Sequence, residues 1–122
     1  MNMLIQAGEI AIHAELADTP TAREIQETLP LEAEVMTWGQ EIYFEIPVER
    51  ALDHTAREVV ENGDLGYWPT GRAICIFFGP TPVSGPNEIR PASAVNIVGR
   101  VIGETAGLKQ VKAGQIIRLS RL

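Results

Sequence analysis

The chain has 122 residues, 45% hydrophobic and 21% charged, a globular balance that suits one core and excludes both a disordered polymer and a two-domain cofactor enzyme. Sixteen acidic against ten basic side chains give a net charge of −6, and the basic ones are scattered, so no stripe exists to neutralise a phosphate backbone and nucleic acid is not an expected partner. No apolar run approaches a membrane span, the start MNMLIQAGEIAIHAEL lacks a basic leader segment, and the lone Cys75 excludes an internal disulfide; the expectation is a single cytoplasmic domain, 1–122, with no membrane partner.

Apolar Ile10, Ile12 and Ala14 alternate after Gly8, which predicts a hairpin whose second strand runs from about Glu9 to Leu16. Thr19-Pro20 then fits an N-cap with proline at the first helical position, and Thr21-Ala22-Arg23-Glu24 offers a capping box one turn later. Ala22, Ile25 and Leu29 line one helical face, and Pro30 ends it.

EAEVMTWGQEIYFEIPV predicts two strands joined by Gly39-Gln40 in a type II′ hairpin. That register sets Trp38 opposite Glu41 and Met36 opposite Tyr43 on one face, leaving Val35, Thr37, Ile42, Phe44 and Ile46 as the core face. The first face is either a half-wet outer surface or the wall of a pocket.

A weak helical pattern spans Glu49 to Glu61, and Asn62-Gly63 opens a second hairpin. Its corner, Trp68-Pro69-Thr70-Gly71-Arg72, suits a type I turn closed by a left-handed glycine, bringing Trp68 and Arg72 face to face. In the next strand Ile74, Ile76 and Phe78 point one way and Ala73, Cys75 and Phe77 the other, so neither side can meet water and a layer is required on each.

Pro80, Pro82, Pro86 and Pro91 forbid regular structure over roughly a dozen residues, a loop length more often functional than not. SAVNIVGRVIG is another strand, with Asn96 embedded in it. A helical turn near Ala106 to Val111 and a last strand from Gln115 to Leu122 complete seven or eight strands with two short helices, the count of a small β-barrel with helices over its mouths.

At TWGQEIYFEIPV, GDLGYWPTGRAICIFFGPTPVS and RPASAVNIVGRV the sequence resembles a family of small, uncharacterised prokaryotic proteins with a cyclophilin-like fold. The resemblance runs over nearly the whole length and implies a mainly β architecture: a closed eight-stranded cyclophilin-like barrel capped by one or two short helices, the fold of the peptidyl-prolyl isomerases. Function transfers less well. True cyclophilins carry an arginine after Phe-His, a Gly-Gly-Asp run and a later Gly-Ser-Gln-Phe-Phe strand, and none of the three occurs here.

The chemistry is therefore read from the residues. Prolyl isomerisation needs an apolar slot and one donor to stabilise the twisted amide nitrogen, against a barrier of about 20 kcal/mol. Arg72 opposite Trp68, or Arg90 or Arg100 after the proline loop, could supply the donor; the plainer reading is that Arg72 stacks on Trp68, a contact worth about 0.5 to 1 kcal/mol when exposed. Trp38, Glu41 and Tyr43 could bind an apolar or sugar-like ligand with Glu41 accepting its hydrogen bonds, or could be a cross-strand aromatic cluster.

Asn96, if buried, needs partners, and holding the Pro80–Pro91 loop is its expected role. Cys75, without a cationic neighbour in sequence, reads as an inert core thiol. His13 and His54 lie far apart, there is no CxxC pair, and Gly63, Gly66 and Gly71 precede no helix, so neither a metal nor a cofactor is expected.

The expectation is a barrel binding a small molecule or a proline-containing peptide at an aromatic rim made of Trp38, Glu41, Tyr43, Trp68, Arg72, Phe78 and Asn96. Two alternatives stand beside it: an isomerase with a rearranged site, and a homo-oligomeric interaction module using the Glu-rich hairpin face.

Overall fold

In the computed structural model, which describes residues 1–122, a turn at Gly8 joins β1 (Asn2–Ala7) to β2 (Ile10–Leu16). Met3, Ile5 and Ala7 face the interior together with Ile12, Ala14 and Leu16, as alternation on paired strands requires. Helix α1 (Pro20–Thr28) follows, with the Thr19 hydroxyl accepting the Ala22 N–H at 3.3 Å. Ala22 and Ile25 are wholly buried and Leu29 nearly so.

The expected Thr21–Glu24 capping box does not form. Thr21 donates instead to Asp53 Oδ2 (2.9 Å), and Glu24 accepts from Arg50 (3.0 Å), so both side chains tie the helix to the loop after β5.

Next in chain order come β3 (Leu31–Glu34), β4 (Met36–Thr37), β5 (Glu41–Glu45), β6 (Ala56–Arg57) and β7 (Asp64–Trp68). A 3₁₀ turn (Pro69–Gly71), β8 (Ala73–Phe77), β9 (Val95–Val101), a 3₁₀ turn (Ala106–Gln110) and β10 (Ile116–Arg121) complete the chain. The strands form one antiparallel sheet in the order β3-β10-β1-β2-β9-β7-β8-β5-β4, with β6 added to β9.

The mainly β, antiparallel architecture with one α-helix is as expected, but hydrogen bonds do not close the sheet into the expected eight-stranded barrel. Ten strands contribute, and β3 and β4, at the two ends of the order, do not pair with each other. The reason is topological: the two ends are one stretch of chain, separated only by Val35. Its first half pairs with β10 and its second with β5, and the Val35 N–H goes to the Gln115 carbonyl (2.9 Å). Where β3 and β5 part, an open depression of about 710 Å³ is lined by Glu32, Glu34, Glu45, Glu49 and Arg72.

β8 is buried along its whole length. Ile74, Ile76 and Phe78 enter a core of 26 buried residues on one side. Cys75 and Phe77 join Val60 and Val95 in a smaller cluster on the other.

The cover on that outer side is made of loops. The helix expected over Glu49–Glu61 is absent, and side chains hold backbone groups of its first half instead, an alternative to helical pairing that polar side chains offer. Tyr67 Oη accepts the Arg50 N–H (3.2 Å), Asn96 Oδ1 the Asp53 N–H (2.8 Å), and Asn96 Nδ2 donates to the Ala51 carbonyl (3.0 Å). Asp53 Oδ1 in turn accepts the Thr55 N–H at 2.8 Å. No helix is long and apolar enough to cross a membrane.

Candidate functional site

The hairpin β4–β5 has the register expected of it: Met36 stands opposite Tyr43, and the Trp38 N–H reaches the Glu41 carbonyl at 3.0 Å. Gly39 has φ +61, and a Cβ there would lie 2.8 Å from Pro82 Cδ, so the turn both needs a left-handed residue and abuts the proline loop. The Gln40 N–H donates to the Pro80 carbonyl (2.9 Å), and the Phe78 N–H to the Gln40 carbonyl (3.0 Å). Thr37, expected in the core, is exposed beside the turn.

Strand pairing then builds a wall. β5 lies antiparallel to β8 with Tyr43 opposite Cys75 and Glu41 opposite Phe77, which puts Glu41, Tyr43 and Cys75 on one face as diagonal and direct neighbours. β7 adds Trp68, opposite Ala73. The Trp68 and Tyr43 rings meet edge to face, centroids 6.2 Å apart at 82°.

The indole lies over Gly71, where a Cβ would come within 2.7 Å of it, and its Nε1–H donates to Ser93 Oγ (2.7 Å). That glycine therefore makes room for the ring, and the left-handed residue of the corner is Arg72 (φ 48, ψ 50) instead.

The proline loop closes the far side. Ser84 Oγ accepts the N–H groups of Thr81 (2.9 Å) and Arg90 (3.0 Å), the Thr81 hydroxyl donates to the Arg90 carbonyl, and Arg90 pairs with Glu88 at 2.9 Å. This brings Pro91 and Ala92 over the outer face. Between them and the sheet lies a cavity of about 270 Å³ lined by Trp38, Glu41, Tyr43, Trp68, Cys75, Pro91 and Ala92.

Glu41 dominates its electrostatics. It is 4% exposed, its Oε1 has no hydrogen-bond partner, and burial pushes its carboxyl up to about 7, with only the Cys75 thiol favouring the charged form. Burial, and then the neighbouring carboxylate, push the Cys75 thiol well above its ordinary range. No Lys, Arg or His lines the cavity. No three His, Cys, Asp or Glu side chains converge on a metal position.

Of the seven residues singled out from the sequence, Trp38, Glu41, Tyr43 and Trp68 surround this cavity, and three do not. Arg72 takes the left-handed conformation at the corner and pairs with Glu45 (3.3 Å) at the open depression, while the Trp68 ring lies over Gly71 instead. Phe78 is in the core, on the inward side with Ile74 and Ile76. Asn96 is wholly buried and holds residues 51–53 and Thr21, not the proline loop.

Pro91 and Ala92 line the cavity without having been singled out, and Cys75, read from the sequence as an inert core thiol, lines it too. Nothing local to Cys75 signals Glu41; only the β5–β8 register does. For Pro91 and Ala92 the available signal was the length and stiffness of the loop.

A family model described as cyclophilin-like matches residues 1–120. The solution structure of the hypothetical protein AF2241 from Archaeoglobus fulgidus is 40% identical, covers 100% of this chain and 95% of its own, and superposes with a TM-score of 0.84. McbB, whose structure is of a complex with tryptophan, is 15% identical with a TM-score of 0.68; the match covers 98% of this chain but 44% of McbB, and it is a likeness of fold. No curated protein matches the chain significantly. With a family model spanning nearly its whole length, the chain belongs to the cyclophilin-like family.

Proposed function

We propose that this cyclophilin-like protein binds a small molecule in the cavity between the β5–β8–β7 face and the proline loop, without the residues of an isomerase. The observation that carries the reading is Glu41: its Oε1 is a buried acceptor with no partner, and the residue lines a cavity together with three aromatic residues. Buried polar atoms are almost always hydrogen-bonded, so an orphan at a cavity wall is the position a ligand's donor would fill.

The volume suits a compact ligand better than a peptide chain. In this reading the sheet acts as a barrel completed by side-chain packing across Val35, Ile42 and Phe44, which gives the outer wall a rigid backing. A reducing, cytoplasmic setting suits the one free thiol. Isomerase chemistry gains no support from this cavity: of the candidate donors, Arg72 is engaged by Glu45 on another surface, Arg90 is held by Glu88, and Arg100 is not among the lining residues.

Mass spectrometry of extracts from denatured protein tests the proposal. A released small molecule, added back, is expected to move the Trp38 and Trp68 indole N–H resonances. A ligand that moves only the surroundings of Glu32 and Glu45 would place the site in the open depression and overturn the reading.

A further inference from the structure

Resting on that reading, the charge of the ligand can be argued as well. We propose that the cavity takes an organic cation, a protonated amine or amidine whose N–H meets Glu41 while its apolar body lies against Trp38, Tyr43 and Trp68.

Three observations converge. First, the orphan atom is a carboxylate oxygen, an acceptor only when ionised, so it is satisfied by a donor. Second, the protein brings no positive charge to it: no basic side chain lines the cavity, the proline loop's Arg90 is held by Glu88, and Arg72 by Glu45. Third, three of the six other lining residues, Trp38, Tyr43 and Trp68, are aromatic, and ring faces carry the negative end of a quadrupole that attracts cations and disfavours anions.

An anion would therefore meet only like charge, and a neutral alcohol would fill the hydrogen bond without offsetting the buried charge. A cation does both. The -6 net charge of the chain favours its approach.

The same geometry makes binding depend on pH. The titratable groups at the cavity are Tyr43 beside Glu41 on β5 and Cys75 from β8; Trp38, Trp68, Pro91 and Ala92 carry none. The thiol is pushed up and stays protonated, so Glu41 is the group that changes charge on going from acid to mildly alkaline solution. With its carboxyl at about 7, Glu41 is mostly neutral at pH 5 and mostly ionised at pH 8, and affinity for a cation rises by at least about tenfold between them.

The test uses phenethylamine, protonated throughout this range, and its neutral isostere 2-phenylethanol, titrated at both pH values into isotope-labelled protein with the Trp38 and Trp68 indole N–H resonances as readout. At pH 8 the amine is expected to bind at least about tenfold tighter than the alcohol. That preference should vanish at pH 5 and in Glu41→Gln.

An amine that binds no tighter than the alcohol at pH 8 overturns the cation assignment, while alcohol binding at the indoles leaves the cavity a ligand site. An amine preference undiminished in Glu41→Gln overturns it too. Neither probe moving either indole overturns both readings. Should Glu41→Gln not fold, the wild-type comparison between the two pH values decides alone.

Discussion

Replacing Glu41 by glutamine should make the protein more stable, and only at neutral and alkaline pH. The folded state holds the Glu41 proton up to about pH 7, whereas the unfolded chain releases it near 4.5. Between those values the native state binds more protons than the unfolded one, so stability falls as pH rises through the window, and the whole loss is present above 7. A displacement of this size corresponds to about 3 kcal/mol, a large share of the roughly 5–15 kcal/mol that holds a domain together.

Glutamine cannot ionise, so the variant escapes that loss. At pH 5 the neutral acid and the amide should differ by no more than about 1 kcal/mol. At pH 8 the variant should be the more stable by about 3 kcal/mol, a rise in the urea midpoint of about 1 to 3 M. Urea unfolding of both proteins at the two pH values is the assay. An equal difference at both, or a variant weaker at pH 8, would refute the claim that Glu41 is buried without a compensating charge.

Asn96→Ala should cost about 2–4 kcal/mol in urea unfolding, because the Asp53 N–H and the Ala51 carbonyl lose their partner together; a loss under about 0.5 kcal/mol would mean that water replaces it easily. Cys75, whose thiol is pushed up so that little thiolate forms, should react with iodoacetamide at pH 8 much more slowly in the native protein than in the unfolded one, and equal rates would contradict the raised thiol. Arg72→Ala should change stability by no more than about 0.5 kcal/mol, since its partner Glu45 is exposed like itself. On a Xaa-Pro peptide, wild type and Arg72→Ala should both leave the isomerisation rate at its uncatalysed value; acceleration by wild type alone would restore Arg72 to a catalytic role.

What could be read before the structure was local. The N-cap at Thr19, the register across Gly39-Gln40 and the two-sided burial of residues 73–78 each depend on residues within a turn or a hairpin of one another, where period and turn chemistry suffice. Reading failed where a distant partner decided. Residues 49–61 carry a weak helical pattern, yet Asn96 takes the Asp53 N–H and the Ala51 carbonyl, groups a helix would use. Trp68 and Arg72 looked like a facing pair until the indole settled over Gly71 and moved the left-handed residue one place along.

The ends of the sheet lie on one short stretch around Val35, a topology that strand counting does not reveal. The candidate site shows the same divide. Trp38, Glu41 and Tyr43 share a face by alternation alone, but that this face is a cavity wall, with Cys75 beside the carboxylate and Pro91 across from it, follows from the β5–β8 pairing and from the path of the proline loop.

The Glu41 carboxyl is kept from water with nothing of the protein's own to neutralise it. A carbon-13 NMR titration of the Glu41 side-chain carboxyl in the ligand-free protein measures this directly. A midpoint close to 7 is the predicted result. A midpoint at or below the ordinary 4.5 would show the group solvated or paired, and would contradict both the site and the ligand drawn from it.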